Sequence, residues 1–582
     1  MKGRFSGIFA ATLATLVATV LSLVCTAGVS IAFDFDMGNG IKGAIDSQVT
    51  QTFGVRLTGP SSDMVESVPG APGTMVYSNA DNGDLNYHAG QLFNFEEKFT
   101  SEMLLYFPDQ LSFMVRGTGF IDEFANKTDR TPLERDAQEQ TCYNFRLLDL
   151  WGAKQFDFGG QTARLRVGNQ VINWGETIFA LGGINSTNAL DVQRLLTPGT
   201  QLKEAVLPAP MIDFTSGLGH GLNVDMYYQF LWNEDRFPAV GSYFSTSNLL
   251  GYGRTPIFID PSNPNVGGPD NFAFPGYSFP VGWAPDQRAS SQGQGGLCLH
   301  YSPPQWAADF GLYFMNYHDK SPVLDSLNYG AVYQQVYLEN RQLYGASMNF
   351  PLGSWAVGTE LSYRPHDAIS LSSPYTPGGP LDLLTNSSSA PNVPLWKDEQ
   401  KYELDVTGLL SLTPSGTGGA LLRLLRADTA TLTLEGTTIC YPDLSNRIYS
   451  TVNGIPVMQA PAAGYYTWLA YNSGSGYPIG AAVGTKWSGG ITEDFNWVYD
   501  GTIIKEWQVN PGCTFFFTAF GNTPNATGNF LAGDTSINVY VNFIQNPPKW
   551  QITINYTKWM GGTTAQPLAD RDMIGGFVTY NF

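Results

Sequence analysis

Asn223-Val-Asp-Met-Tyr-Tyr-Gln-Phe-Leu-Trp232 sets Val224, Met226, Tyr228, Phe230 and Trp232 on one side of an extended chain, and Asn223, Asp225, Tyr227 and Gln229 on the other. Successive side chains of a strand point to opposite faces, so this segment has one apolar and one polar face. The pattern recurs. Trp355, Val357, Leu361 and Tyr363 alternate with Gly358, Glu360, Ser362 and Arg364, and Ile552, Ile554 and Tyr556 alternate with Thr553, Asn555 and Thr557. Ala163 to Asn173 and Ile537 to Phe543 read the same way. A soluble sandwich alternates too, so the pattern alone establishes strands and not their setting.

Between these strands, very short connections alternate with very long ones. Short turns fall at Pro108-Asp109-Gln110, Asp157 to Gly160, Gly217 to Gly221, Ser302 to Gln305, Pro351 to Ser354, Pro414 to Gly419 and Asn546 to Lys549. Short turns on one side and long loops on the other are the rhythm of a transmembrane β-barrel. Seven short turns imply eight hairpins. The expected fold is therefore all-β, an antiparallel up-and-down barrel of about 16 strands, in the range 14–18. Residues 233–294 and 437–535 are read as large outer loops, with Thr514 to Phe520 the one place inside the second where an extra strand fits.

Both ends of the chain agree with export to an outer membrane. Lys2 and Arg4 precede an apolar, small-residue stretch that ends at Ser30-Ile31-Ala32, which predicts a signal peptide over 1–32, cleavage before Phe33 and a barrel over 33–582. At the other end Ile574, Gly576, Val578, Tyr580 and Phe582 share a strand face. The aromatic Tyr580 and Phe582 resemble the terminal signal that the bacterial barrel assembly machinery reads. Outer-membrane lipid is then the expected surrounding of the mature chain.

Composition narrows the function. Charged residues make up 14% of the chain and aromatics 13%, while 64 glycines and 36 prolines disfavour long helices. No apolar run after the leader approaches the roughly 20 residues that a spanning helix needs. The net charge of −19 disfavours a nucleic-acid partner. Cys142, Cys298, Cys440 and Cys513 remain beyond the leader without metal-type spacing, and Cys440 with Cys513 is the candidate disulfide, since both are read into one long loop. No metal or cofactor is expected.

The segment Arg166–Pro210, RVGNQVINWGETIFALGGINSTNALDVQRLLTPGTQLKEAVLPAP, is less generic. It resembles the outer-membrane family known as domain of unknown function 1302, as do Phe53-Gly54-Val55-Arg56-Leu57 and Tyr243-Phe244-Ser245-Thr246. The resemblance implies a barrel that handles hydrophobic compounds such as sterols, terpenes, hydrocarbons or other lipids. It further implies a periplasmic lipid carrier and an inner-membrane exporter of the resistance-nodulation-division class as partners.

Read from its residues, the same segment is a third long loop with its own helix. Asn188 is the predicted N-cap of Ala189 to Leu196, Asp191 lies in the first turn, and Pro198 follows the end. A structured loop of this length is uncommon without a role, so 174–208 is the candidate constriction or plug. Arg194, Lys203 and Glu204 are expected to meet lumen charges beside Arg164 and Arg166, with Trp174 at the entrance and Glu176 and Asp191 as further lumen or constriction candidates. Charged residues that merely keep a lumen wet, and a helix that merely caps a rim, explain the same pattern.

Catalysis finds little support. His88, His220, His300, His318 and His366 fall mostly in loops or turns, with no nucleophile elbow, metalloprotease helix or phosphate loop. The expected function is a non-enzymatic outer-membrane channel or transport component for hydrophobic compounds. A general or nutrient-selective porin and a structural or adhesive envelope protein stay open beside it.

Overall fold

In the computed structural model, the residues described are 33–61, 82–248, 250–254, 257–259, 279–328, 332–371, 392–445, 448–452, 455–459, 461–462, 483–525, 530–561 and 566–582. The expected leader over 1–32 lies outside them.

Eighteen antiparallel strands close into one barrel. The first nine are β1 Ile41–Arg56, β2 Leu92–Phe107, β3 Leu111–Asp122, β4 Tyr143–Phe158, β5 Gln161–Gln170, β6 Ala209–Gly219, β7 Leu222–Gln229, β8 Gln294–Tyr301 and β9 Asp309–Tyr317. The remainder are β10 Arg341–Leu352, β11 Trp355–Leu371, β12 Trp396–Leu412, β13 Thr429–Cys440, β14 Trp487–Asp500, β15 Trp507–Phe520, β16 Thr535–Gln545, β17 Trp550–Met560 and β18 Met573–Asn581. Each strand pairs with its neighbours in sequence, and β18 closes on β1 with Val49 opposite Tyr580. Ser47 and Phe582 exchange both backbone hydrogen bonds at 2.8 Å, which completes the seam. Closure removes the unpaired edges that an open sheet would expose.

Alternation has the predicted polarity. On β11 and β12, Leu361, Leu404 and Val406 are exposed on the outer wall, whereas Glu360, Arg364, Glu403 and Asp405 between them are buried inside. On β7, Met226 and Tyr228 point out while Tyr227 and Gln229 are buried. Phe230 and Trp232 lie beyond the end of that strand at Gln229.

Six of the seven expected short turns join consecutive strands. At Pro414 to Gly419 the expectation is corrected, because the β12–β13 connection spans 413–428 and carries a helix, Gly419–Leu425. A further short turn lies between β14 and β15 at 501–506. Here the sequence reading is corrected. Residues 437–535 are not one loop, because β14 and β15 run through them, with Thr514 to Phe520 forming the end of β15. The same correction removes the expected disulfide. Cys440 ends β13 opposite Trp487 and Cys513 sits in β15 opposite Phe495, so β14 separates two free thiols.

The long connections build an outer layer. Phe279–Trp283, Val332–Val336, Val323–Leu327 and Asn392–Pro394 come from three different loops and pair in a five-stranded sheet with Ile257–Ile259. Phe53–Leu57 and Tyr243–Thr246, far apart in sequence, also meet here. The Arg56 guanidinium donates to the carbonyls of Asp84 and Tyr87 at 2.7 and 2.8 Å, and Arg571 donates to Asp84 Oδ1 at 2.7 Å and to the Ser245 carbonyl at 2.5 Å. Tyr243 stacks on Phe93 with ring centroids 3.6 Å apart.

Candidate functional site

The connection between β5 and β6 reaches inward-facing side chains on strands all round the barrel. It is built in two parts with different anchors.

The first part, 172–186, is held largely through its backbone. Glu360 of β11 accepts from the amides of Glu176 and Ile184 at 2.6 and 2.8 Å. Glu435 of β13 accepts from three successive amides, those of Ile178 (2.5 Å), Phe179 (3.1 Å) and Ala180. Successive N–H groups aimed at one oxyanion form a charge-assisted nest. Glycines make the approach possible. Gly175, Gly182 and Gly183 all have positive φ, and a Cβ on Gly183 would lie 2.2 Å from a Glu360 carboxylate oxygen. Four residues beyond Glu360 on the same strand, Arg364 donates to the Gly183 carbonyl and to Ser186 Oγ, both at 2.7 Å. The base of this part packs Ile172, Trp174 and Ile184 into a buried cluster with Tyr227, Tyr313 and Leu343.

The second part, 187–207, is held mainly by side chains. Arg194 makes a bidentate pair with Glu96 of β2, one arm at 2.7 Å, and lies 4.2 Å over the Phe120 ring. Asp191 pairs with Arg146 of β4 and accepts from the Arg194 amide at 2.9 Å. Glu204 pairs with Lys98 at 2.5 Å and accepts from Thr100 at 2.6 Å. These partners are all buried, and a charge taken out of water persists only when paired in this way. Lys203 joins a partly exposed network, 2.9 Å from Glu102, which Arg116 links to Asp149.

The predicted residues thus divide. Asp191, Arg194, Lys203 and Glu204 do meet lumen charges. Arg164 and Arg166 stand apart, both over the Trp151 ring, with Arg166 on Asp213 at 3.2 Å. Trp174 is not at an entrance but is a buried anchor, its Nε1 donating to Asp225 at 3.1 Å. Glu176 is half-buried, accepting from Asn349 at 3.0 Å. The helix is shorter than expected, Val192–Leu196, and its N-cap is Asp191. Asn188 is engaged elsewhere, accepting from the Ile172 amide at 3.1 Å, while Ala189–Leu190 pairs with Val206–Leu207. Sequence reading missed Glu96, Lys98, Glu360, Arg364, Glu403 and Glu435, although the polar phase of β11 already placed Glu360 and Arg364 inward.

Where the inserted connection is not anchored, it presents apolar groups. Ile178 is 51% exposed, Leu181 45% and Leu202 66%, with Phe179 and Leu195 also exposed. Above it is a chamber of ≈ 510 Å³. Leu181, Leu196, Phe244, Phe516, Leu531 and Trp559 supply apolar wall, and Asp319, Lys320, Arg364, Lys401 and Asp534 supply polar wall. Burial pushes the Asp319 and Asp534 carboxyls up to about 7 and the Lys320 ammonium down to about 7.

Among the described residues, the one carboxylate that bonds both a histidine and a serine, Asp309, does not complete a hydrolytic triad. His300 and Ser302 both bond Asp309, so a carboxylate and not an imidazole occupies the middle position. Among the described residues no group of three or more His, Cys, Asp or Glu is arranged to hold a metal ion.

The chain matches the family described as protein of unknown function (DUF1302) over residues 13–582, and it belongs to that family. No curated protein matches it. Among solved structures it is similar to OccAB2 of Acinetobacter baumannii at 8% identity and TM-score 0.41, covering 93% of this chain and 98% of that one. It is also similar to OpdK of Pseudomonas aeruginosa, solved with vanillate, at 10% identity and TM-score 0.41, with the same coverage.

Proposed function

We propose that this DUF1302 barrel is an outer-membrane channel whose 171–208 connection constricts the lumen and passes hydrophobic, lipid-like compounds. One observation carries the reading: a connection fixed by buried charges turns Ile178, Phe179, Leu181, Leu195 and Leu202 toward open space inside a polar barrel. Exposed apolar groups there cost free energy unless something apolar meets them. The apolar outer wall and the alternation of short turns with long loops suit an outer membrane. In this reading a periplasmic lipid carrier and an inner-membrane exporter supply or take up the cargo.

Deleting Leu181 to Thr197 is expected to raise single-channel conductance several-fold in barrels that still shift on heating in a gel. Unchanged conductance overturns the constriction. Mass spectrometry of small molecules that co-purify from outer membranes tests the cargo, and a lipidic compound is the expected result. The partly exposed Arg116, Glu102 and Lys203, with Asp149 buried beside them, favour a second reading, a porin for polar solutes. A high, ion-selective conductance from the intact barrel with no bound lipid would establish that one instead.

A further inference from the structure

The chamber above the constriction has a polar wall that is almost wholly self-satisfied. Lys401 and Arg364 both sit on Glu403, at 2.9 and 3.4 Å. Lys320 donates to Gln294 at 3.0 Å, Asp319 accepts from Arg341 at 3.2 Å, and Asp367 accepts from the Tyr441 hydroxyl at 2.7 Å. Asp235 accepts from Ser321 Oγ at 2.5 Å.

Asp534 differs. Its residue is only 4% exposed, it lines the chamber, and its Oδ1 has no hydrogen-bond partner among the described residues. Asp534 immediately precedes β16, in which Ser536 lies between Phe516 of β15 and Trp559 of β17, and all four line the chamber. The Thr518 amide donates to the Asp534 carbonyl at 2.8 Å, and Thr518 Oγ1 is likewise buried without a partner. Asp534 therefore brings an orphaned carboxyl oxygen to a chamber whose apolar wall includes Phe516, Leu531 and Trp559. A buried carboxyl without a partner is costly, and native structures keep such groups where a ligand completes them.

We propose that the chamber is a binding site for an apolar alcohol, its hydrocarbon body on Phe516, Leu531 and Trp559 and its hydroxyl bonded to Asp534. This rests on the hydrophobic-cargo reading and names the chemical class within it. The chamber's ≈ 510 Å³ lies within the usual range for small-molecule sites. An anionic amphiphile finds the lining cations already neutralised. A carboxyl with its pKa near 7 is largely uncharged below neutrality, so it both donates to and accepts from a hydroxyl without stripping water from an ammonium group.

Equilibrium dialysis of the full-length barrel in detergent, with tritiated dodecan-1-ol and dodecane and with micelles alone as the blank, tests the assignment. Wild-type protein is expected to bind the alcohol at least about ten-fold more tightly than the alkane, the scale of one completed hydrogen bond to a buried group. Asp534→Ala is expected to lose that advantage, and Asp534→Asn to keep much of it, each checked for folding by heat-dependent gel mobility. Equal alcohol binding by wild type and Asp534→Ala overturns the site. Tighter binding of dodecylammonium or dodecanoate than of the alcohol overturns the ligand class. Alkane bound without any gain for the alcohol fails Asp534 alone, whereas no binding of either probe fails the hydrophobic channel and the site with it.

Discussion

The two parts of the inserted connection reach opposite walls by opposite means. In 172–186 the barrel supplies the charge and the connection supplies backbone amides, with Ile172, Trp174 and Ile184 as the side chains on which docking depends. In 187–207 both sides supply charged side chains, and each pair depends on the residue at one position. The consequence is a division of labour. The amide-held part carries exposed Ile178, Phe179 and Leu181, and its release parts amides from two carboxylates. Release of the ion-paired part separates charges of both signs.

Arg194→Ala attacks the stronger half. It leaves Glu96 buried and unpaired, which costs about 3–5 kcal/mol. The expected outcome is a large drop in thermal transition temperature, while chymotryptic cleavage at Phe179 stays slow. Fast cleavage there in this variant would mean that the two parts move as one, and the contrast would fail.

Glu435→Ala attacks the weaker half. Three amides lose their acceptor, with an expected cost of about 1–3 kcal/mol confined to the tip, since freed amides can turn to water. Cleavage at Phe179 should accelerate and conductance should become noisier, with the barrel transition little changed. A shift as large as that of Arg194→Ala would show that the nest holds the whole barrel and not merely the tip.

Lys203→Ala sharpens the comparison from its mild end. The Lys203–Glu102 pair is partly exposed, and such pairs contribute about 0–1 kcal/mol. A barely altered transition is expected. A loss comparable to that of Arg194→Ala would show that exposure does not separate these ion pairs.

Much of the barrel was legible because its code is local. Period two assigns each side chain to lipid or lumen, and Gly and Pro mark turns. The missed hairpin breaks both signals. In β14, Glu493 shares a face with Ile491 and Phe495, and the following turn contains Ile503 and Ile504 where small polar residues were expected. The connection was legible as structured, and three of its charges, Arg194, Lys203 and Glu204, were singled out as facing other charges. Their partners were not legible, because Arg194 to Glu96 and Ile178 to Glu435 are 98 and 257 positions apart. The misplaced cap has a local cause: Asn188 and Asp191 are both good N-caps, and only the pairing of Ala189–Leu190 with Val206–Leu207 decides between them.

The cluster around Arg56 and Arg571 also bears on whether the barrel wall can part sideways. Arg56 ends the first strand and Arg571 precedes the last. Arg56 and Thr58 both donate to the Asp570 carbonyl, at 3.0 and 2.6 Å, while the Leu57 amide donates to the Asp572 carbonyl at 2.7 Å. The seam between first and last strands is thus stitched at its outer end by buried guanidinium groups. A molecule slipping sideways at this seam would have to unpick that stitching before parting the outer rungs of β1 from β18, so the place where the chain's two ends meet is a bolted door in the wall.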